Sequence, residues 1–229
     1  SFQMADALKK QQTLLRGLRS LYEDGEIVSR RDFQAFLDSV DLQGSFPTVF
    51  AVGWVPRVPH HIVHEFVRSV REDRSLAEQG YPEFALKPEL DRYVSEHHVL
   101  TYVHPMNDRQ WMLGFDLSAS AERLLTLEHA RDSGEFAVSP PLVISVDNPD
   151  AKGFLIMLPV YGGVEPKNLV QRRQFYSGVL MGIFRFEKLL GTFDLEPFNG
   201  IAIRDITDNT VSRTPGQTSA SQHFYSSGE

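Results

Sequence analysis

The feature that most constrains the fold is a short apolar run at residues 48–55, closed at both ends by proline. It reads Thr-Val-Phe-Ala-Val-Gly-Trp-Val between Pro47 and Pro56 and is rich in β-branched and aromatic residues. A run this short, with this composition and these boundaries, is typical of a buried strand, because proline interrupts both helices and β-ladders. The chain is therefore expected to contain a β-sheet.

Two helices are predicted before this strand. Residues 4–22 place apolar side chains at helical spacing without a proline, which predicts a long amphipathic helix. A second helix is predicted to begin near Ser29, whose hydroxyl can cap it together with Asp32 three residues later. Gly44 and Pro47 are expected to end it.

The segments after residue 55 alternate between strand and helix patterns. Residues 98–104 and 110–117 are β runs separated by Pro, Asn and Asp, which predicts a hairpin. Residues 118–134 have a helical pattern, with Gly134 as the C-terminal stop. Together the elements predict an α+β fold in which helices flank an antiparallel sheet. The other predicted elements are a helix at 60–70, a short strand around 84–86, strands at 136–145, 153–161, 179–184 and 201–206, and a short helix at 186–193.

The composition excludes several classes of function. The net charge is −7, so the chain lacks the positive field that nucleic-acid binding needs, and no nucleic-acid partner is expected. There are no cysteines, which excludes disulfides, thiolate-bound metals and thiol nucleophiles. No stretch approaches the roughly 18 to 20 apolar residues that span a bilayer, and the first residues have no signal-peptide pattern. A globular domain is expected, either free or taken from between membrane segments.

No named catalytic motif supports an enzyme. The nucleophile elbow, the Walker A loop, the dinucleotide fingerprint and the His-Glu-x-x-His motif are absent from the sequence. Asp91 with Glu96, or Asp116 with Glu122, are conceivable acid and base pairs. Solvated charges, with a capping role for Asp116, are the favoured interpretation. No catalytic residue and no cofactor are therefore predicted.

The densest group of histidines lies at the start of a predicted helix. His60 and His64 are four residues apart, so on a helix they would share a face and could hold a metal at two points. Glu65 faces another direction, and no third ligand is implied nearby. Exposed polar side chains are the favoured interpretation, also for His97 and His98. No metal site is predicted.

Aromatic residues are concentrated in the predicted strands around the hairpin. For any one of them, packing in the core is the simpler interpretation. Together with the polar groups of Asn107 and Ser139, an aromatic sheet face is typical of a small-molecule pocket. The aromatic residues are Trp54, Phe84, Tyr102, Trp111, Phe115, Phe136, Phe154 and Tyr161.

Six sequence blocks follow one another along the chain between the predicted central strand and the last predicted helix. They are Gly53-Trp-Val-Pro-Arg-Val58, Tyr102-Val-His-Pro105, Leu113-Gly-Phe-Asp-Leu117, Ala130-Arg-Asp-Ser-Gly134, Gly153-Phe-Leu-Ile-Met-Leu-Pro-Val-Tyr161 and Gly178-Val-Leu-Met-Gly-Ile-Phe-Arg-Phe-Glu-Lys-Leu-Leu190. In order and spacing these blocks resemble the CHASE family of sensory domains. The resemblance covers residues 48–207, and the order of the blocks makes it specific.

The resemblance implies an extracytoplasmic, ligand-sensing domain between two transmembrane helices of a receptor of the histidine kinase or diguanylate cyclase type. It also implies a long N-terminal helix followed by two PAS-like antiparallel-sheet subdomains, and a homodimer formed through the N-terminal helices. On this basis residues 1–47 are predicted to be a helical stalk and residues 48–162 the membrane-distal, ligand-binding subdomain. Residues 163–229 are predicted to form a linker and an incomplete membrane-proximal subdomain. The sensor domain itself is expected not to be an enzyme.

The resemblance also implies a place for the ligand. Plant members of the family bind cytokinins, which are adenine derivatives, through a carboxylate on the sheet. Asn107 stands at or near that position, where its amide can pair with a purine edge, and Asp108 is the neighbouring alternative. Ser139 matches a position where a hydroxyl contacts the ligand, so a small molecule is expected, with a purine derivative as one candidate. The implied pocket walls are Tyr102, His104, Leu113, Phe115 and Phe154.

Two other functions stay open. One is an interaction module that dimerises or binds a periplasmic protein, with core side chains filling its pocket. The other is a hydrolase on a PAS-like scaffold, which ranks last because it needs an activated nucleophile and a base. A void surrounded by Tyr102, Asn107, Ser139 and Phe154 would separate a ligand-binding receptor from the interaction module.

Overall fold

Helices cover both faces of an antiparallel sheet. A computed structural model describes residues 2–88, 94–107, 109–144, 151–186, 188, 202–204 and 211–213. The helices are α1 (Phe2–Arg19), α2 (Arg30–Ser39), α3 (Leu42–Ser45), α4 (Val63–Glu72), α5 (Ala121–Ser133) and α6 (Leu169–Phe175). The strands are β1 (Val49–Pro59), β2 (Glu96–His98), β3 (Tyr102–His104), β4 (Ala137–Val138), β5 (Leu142–Val143), β6 (Lys152–Val160), β7 (Gly178–Arg185), β8 (Ala202–Arg204) and β9 (Val211–Arg213). Short 3-10 turns lie at Ser20–Tyr22, His60–Ile62, Gln110–Met112 and Leu117–Ala119.

The centre of the sheet is formed by β1, β7 and β6. β2 and β3 both pair with β1, and β4 and β5 both pair with β6, while β8 and β9 form a separate two-stranded pair. Every strand pair of the main sheet is antiparallel. The predicted α+β fold with an antiparallel sheet is therefore confirmed, and the apolar run at residues 48–55 lies in its central strand β1.

Alternation along β6 and β7 divides the core into two parts. Met157 lies opposite Met181 and Leu158 opposite Leu180, so successive residues of each strand point to opposite faces. One face, called here the α1 face, packs against α1 and α2. The other, called the α5 face, packs against α4, α5 and the segments that connect the strands. Buried sheet residues of the α1 face include Val52, Phe154, Ile156, Leu158, Leu180 and Phe184, and those of the α5 face include Ala51, Val55, Leu155, Met157, Val179, Met181 and Ile183.

Local capping sets the ends of two helices that cover these faces. At the start of α2 the Ser29 hydroxyl accepts from the Asp32 amide at 3.2 Å, and the Asp32 carboxylate accepts from the Ser29 amide at 3.3 Å. This reciprocal pair is a capping box. At the end of α5, Gly134 has φ +78° and donates to the Ala130 carbonyl at 3.0 Å. Both predicted boundaries are confirmed.

The predicted hairpin between residues 98–104 and 110–117 is wrong. β2 and β3 pair with β1 instead, with His97 opposite Val58 and Val103 opposite Gly53. The segment after β3 forms two 3-10 turns, and in the described part of the chain its β-type pairings are two isolated bridges, of Phe115 with Lys87 and of Asp116 with Val99. A left-handed Gly114, with φ +87°, breaks the extended backbone that a second hairpin strand would need.

Several predictions of the sequence are not decided by the fold. α1 has 18 residues, and the long N-terminal helix, the PAS-like character and the boundaries at residues 47 and 162 stay predictions. The helix predicted at 186–193 lies almost wholly outside the described residues, as do Asp91 and Asp108. The strand predicted at 201–206 is represented by β8. Within the described residues, no helix combines the length and the apolar character needed to cross a membrane.

Candidate functional site

An apolar pocket opens on the α5 face of the sheet. Its volume is about 260 Å³, small for a ligand site but within reach of a molecule of modest size. Side chains of β6 and β7 form its floor, and the segment at residues 111–117 and β5 form its walls. Trp111 and Val143 are the exposed lining residues and therefore mark its mouth. The lining is Leu100, Trp111, Met112, Phe115, Leu117, Arg123, Leu142, Val143, Ile144, Leu155, Met181 and Ile183.

One wall of the pocket is clamped between two neighbouring segments. Gly114 donates to the Leu100 carbonyl at 2.9 Å, and its own carbonyl accepts from the Lys87 amide at 2.8 Å. A side chain at Gly114 would place its Cβ 1.8 Å from the Ala85 carbonyl oxygen, so only glycine allows this approach. The clamp turns Phe115 towards the pocket while Leu113 is buried in the core beside it.

The same wall is anchored by a fully buried carboxylate. Asp116 Oδ1 accepts from the His98 amide at 3.1 Å and from the Ser118 amide at 2.9 Å, and Oδ2 lies 2.6 Å from His97 Nδ1. The predicted capping role of Asp116 is thereby confirmed. The chain of contacts continues outward, because His97 Nε2 lies 3.0 Å from His60 Nδ1. Asp116 therefore ties the pocket wall to β2 and to the turn before α4.

The neighbouring histidine is held neutral by burial. His98 Nδ1 lies 2.9 Å from the Ser118 hydroxyl, and its ring packs against Tyr176 with centroids 5.7 Å apart. Desolvation lowers the pKa of His98 to about 4. The prediction that His97 and His98 are exposed polar residues is wrong, because both are only 4% exposed. The residues next to His97 and His98 in the sequence do not indicate that the buried Asp116 bonds to both of them.

The other polar candidates have ordinary structural partners. Glu96 pairs with Arg57 across β1 and β2, and that bond to the guanidinium holds the pKa of Glu96 below its usual range. Across the described residues, no group of three or more histidines and carboxylates is arranged to hold a metal ion.

The seven residues predicted to bind ligand are divided between the two faces. Phe115 lines the apolar pocket, and Leu113 is buried next to it. Ser139 lies beside β6, the strand that contributes Leu155 to the floor of the pocket. Its hydroxyl accepts from the Leu155 amide at 2.9 Å and donates to the Pro140 carbonyl at 2.8 Å. These three residues share the α5 face.

The remaining four lie elsewhere. The Tyr102 hydroxyl donates to the Val28 carbonyl at 3.1 Å, and Phe154 packs in the core of the α1 face. His104 and Asn107 line a separate groove beside α2 and α3, where His104 Nε2 lies 3.5 Å from Asp38 Oδ1. Within the described part of the chain, therefore, no single void is surrounded by Tyr102, Asn107, Ser139 and Phe154 together.

Most residues of the apolar pocket were not singled out by the sequence. Leu100, Ile144, Leu155 and Ile183 look like ordinary core residues, and only strand pairing brings them to one place. Arg123 was missed for another reason, because an arginine in a predicted helix is normally solvated. A larger groove of about 600 Å³ lies between α1 and α6, but it is polar and carries charges of both signs. The apolar pocket fits the usual character of a ligand site better.

Comparison with known protein families assigns residues 26–225 to the CHASE domain. No curated protein matches the chain. The match spans most of the 229 residues and includes the whole sheet and both walls of the pocket. The chain therefore belongs to the CHASE domain family, whose members are extracytoplasmic sensory domains of signalling receptors.

Proposed function

We propose that this domain senses a small molecule and that the apolar pocket on the α5 face is where the molecule binds. The observation that carries the proposal is the pocket itself, lined by eleven apolar side chains and one arginine. Close packing is the normal state of a protein interior, so an apolar pocket with a supported wall favours a binding role. No catalytic role is proposed.

The position of the pocket favours signalling to the N-terminal helix. Met181 and Ile183 of β7 line the pocket, while Leu180 and Phe184 of the same strand pack in the cluster that holds α1. A ligand that binds one arrangement of β7 more tightly than another shifts the population between the two arrangements. In the receptor we propose, of the histidine kinase or diguanylate cyclase type, α1 passes this shift towards the membrane, with a homodimer through the N-terminal helices as part of the proposal.

Binding of N-phenyl-1-naphthylamine tests the pocket. This neutral, apolar dye fluoresces when it leaves water, so the parent protein should increase its emission in a saturable manner. Val143→Trp places an indole at the mouth, where Val143 is 47% exposed, and is expected to weaken dye binding by about tenfold, or about 1.4 kcal/mol. Val138→Trp is the matched control, because Val138 is 59% exposed on the neighbouring strand and does not line the pocket.

The two variants separate specific from general binding. Equal dye affinity in both variants and the parent would mean that the dye binds elsewhere, and the pocket would lose its proposed role. Circular dichroism should be the same for all three proteins, since both substitutions replace exposed side chains.

The groove that contains Asn107 is a second candidate, for a purine derivative. Asn107 is exposed there beside His104, Asp38 and Asp41, and its amide offers both a donor and an acceptor. A thermal-shift screen with adenine derivatives checks this role, because a ligand of the native state raises the Tm. Asn107→Ala should abolish the shift, and an unchanged shift would remove Asn107 from the site. If no compound shifts the Tm and the dye does not bind, the interaction module becomes the better account.

A further inference from the structure

One side chain of the pocket indicates which functional group the ligand carries. Arg123, in the first turn of α5, is the only charged residue in the described lining. We propose that the pocket takes an apolar molecule with a single carboxylate group and that Arg123 binds the carboxylate. This inference rests on the proposed function, since it concerns the same pocket.

Arg123 is a half-buried arginine that has no acidic partner among the described residues. In the described part of the chain its guanidinium makes no hydrogen bond and no ion pair, and only its backbone amide is bonded, to the Ser120 hydroxyl. Arg30 pairs with Asp73, Arg57 with Glu96 and Arg173 with Asp132.

The surroundings of Arg123 make it unfavourable for the guanidinium to lack an acidic partner. Burial lowers its pKa, and the neighbouring charge of Glu122 opposes this effect in part. A cation that is partly removed from water and has no ion-pair partner loses favourable solvation free energy. A bound anion compensates for that loss. A carboxylate matches the guanidinium fork with two parallel hydrogen bonds.

The other lining residues determine the chemistry of the part of the ligand that does not contact Arg123. The other lining residues are aliphatic, aromatic or methionine, so they select a hydrocarbon or an aromatic ring. Apart from the indole N–H of Trp111, they offer no polar group to a sugar or a peptide. The volume of about 260 Å³ limits the molecule to modest size. A second anionic group would have no cation in the described lining, which favours a monoanion.

Competition with N-phenyl-1-naphthylamine tests this chemistry with three probes of equal chain length. Octanoate, 1-octanol and octylammonium each have eight carbons and carry an anionic carboxylate, a neutral hydroxyl and a cationic ammonium head group. We expect octanoate to displace the dye at the lowest concentration and octylammonium at the highest. The affinity for octanoate should fall about tenfold in Arg123→Gln, while the affinity for octanol stays within about twofold of the parent.

Two further variants serve as controls. Arg123→Lys keeps the charge without the fork and should retain part of the preference for octanoate. Arg68→Gln removes the same charge from an exposed position of α4 outside the pocket and should leave all three affinities unchanged.

The outcomes distinguish this inference from the proposed function. If octanoate and octanol compete equally well and Arg123→Gln changes neither, the carboxylate inference is overturned while the pocket stands as a binding site. If the parent binds neither the dye nor any of the probes, the pocket itself loses its proposed role, and the inference falls with it.

Discussion

The α1 face and the α5 face of the sheet are built by the same strands but are covered in different ways. On the α1 face, rings pack directly on one another: Phe154 stacks on Phe184 with centroids 5.2 Å apart, and Phe33 meets Tyr102 edge to face at 5.5 Å. On the α5 face, the covering segments leave the apolar pocket of about 260 Å³. In our proposal, the α1 face therefore serves stability and the α5 face serves recognition.

The two faces are coupled because each central strand contributes to both. Gly182 of β7 lies between two pocket residues and faces the α1 side, where an added Cβ would come within 2.8 Å of the Phe184 ring and 3.7 Å of Leu15. The absence of a side chain leaves room for the Phe184 ring, which packs in the same cluster as Leu15 of α1. A change in the pocket therefore has a short path to α1.

Deleting a phenyl ring from each face gives the largest expected contrast. Phe33→Ala removes a ring that is 1% exposed in the core of the α1 face and should lower the free energy of unfolding by about 3–5 kcal/mol. Phe115→Ala removes a half-buried ring of the pocket wall and should cost about 2 kcal/mol or less, because part of that ring has no packing partner to lose. Urea unfolding measures both values. Equal losses would contradict the proposed division between the faces.

Acid should weaken the domain through the polar cluster behind the pocket. The pKa of His98 is about 4 in the folded chain and about 6.5 when unfolded, so between these values only the unfolded chain binds the proton. Stability from this group is complete above pH 6.5 and falls as the pH is lowered, by about 2 kcal/mol between pH 7 and pH 5.

Unfolding at the two pH values, in the parent and in His98→Gln, isolates this contribution. The loss between pH 7 and pH 5 should be smaller in His98→Gln by that amount, because glutamine does not titrate. His61→Gln, at an exposed position, is the matched control and should behave as the parent does. A parent and a His98→Gln variant with the same pH dependence would show that His98 is not the buried neutral group described above.

The caps of the two covering helices give the smallest contrast. Ser29→Ala breaks the capping box of α2, with bonds of 3.2 and 3.3 Å, and should cost about 1 kcal/mol. Ser120→Ala removes a single bond of 3.4 Å at the start of α5 and should cost about 0.5 kcal/mol. Thermal unfolding monitored by circular dichroism measures both. A larger loss for Ser120→Ala would indicate that α5 is held more by its cap than by its packing.

The sequence predicted those parts of the fold that local chemistry determines. Pro47 marks the start of β1, the pair Ser29 and Asp32 marks the start of α2, and Gly134 marks the end of α5. The predicted end of β1 at Pro56 is wrong, because the strand continues through Pro56 to Pro59. Each of these signals lies within a few residues of the structure it determines, so no knowledge of the tertiary fold is needed.

Most of the pocket could not be predicted from the sequence, because strand register decides which side chains line it. Tyr102 and Val103 are neighbours, yet one faces α2 and the other the α5 face, and the sequence does not say which. Likewise Leu100, Ile144 and Ile183 meet only after three segments have paired. Phe115 was predicted as a pocket residue and lies in the wall, but its ligand role stays a prediction.

Methyl NMR with N-phenyl-1-naphthylamine tests the central claim most directly. Aromatic rings of the dye shift the resonances of methyl groups that they contact. We predict the largest shifts at Leu117, Ile144, Leu155 and Ile183, which line the pocket, and much smaller shifts at the methyl groups of the α1 face. Shifts that are largest on the α1 face, or in the groove beside α2 and α3, would contradict the assignment of the α5 face as the ligand-binding face.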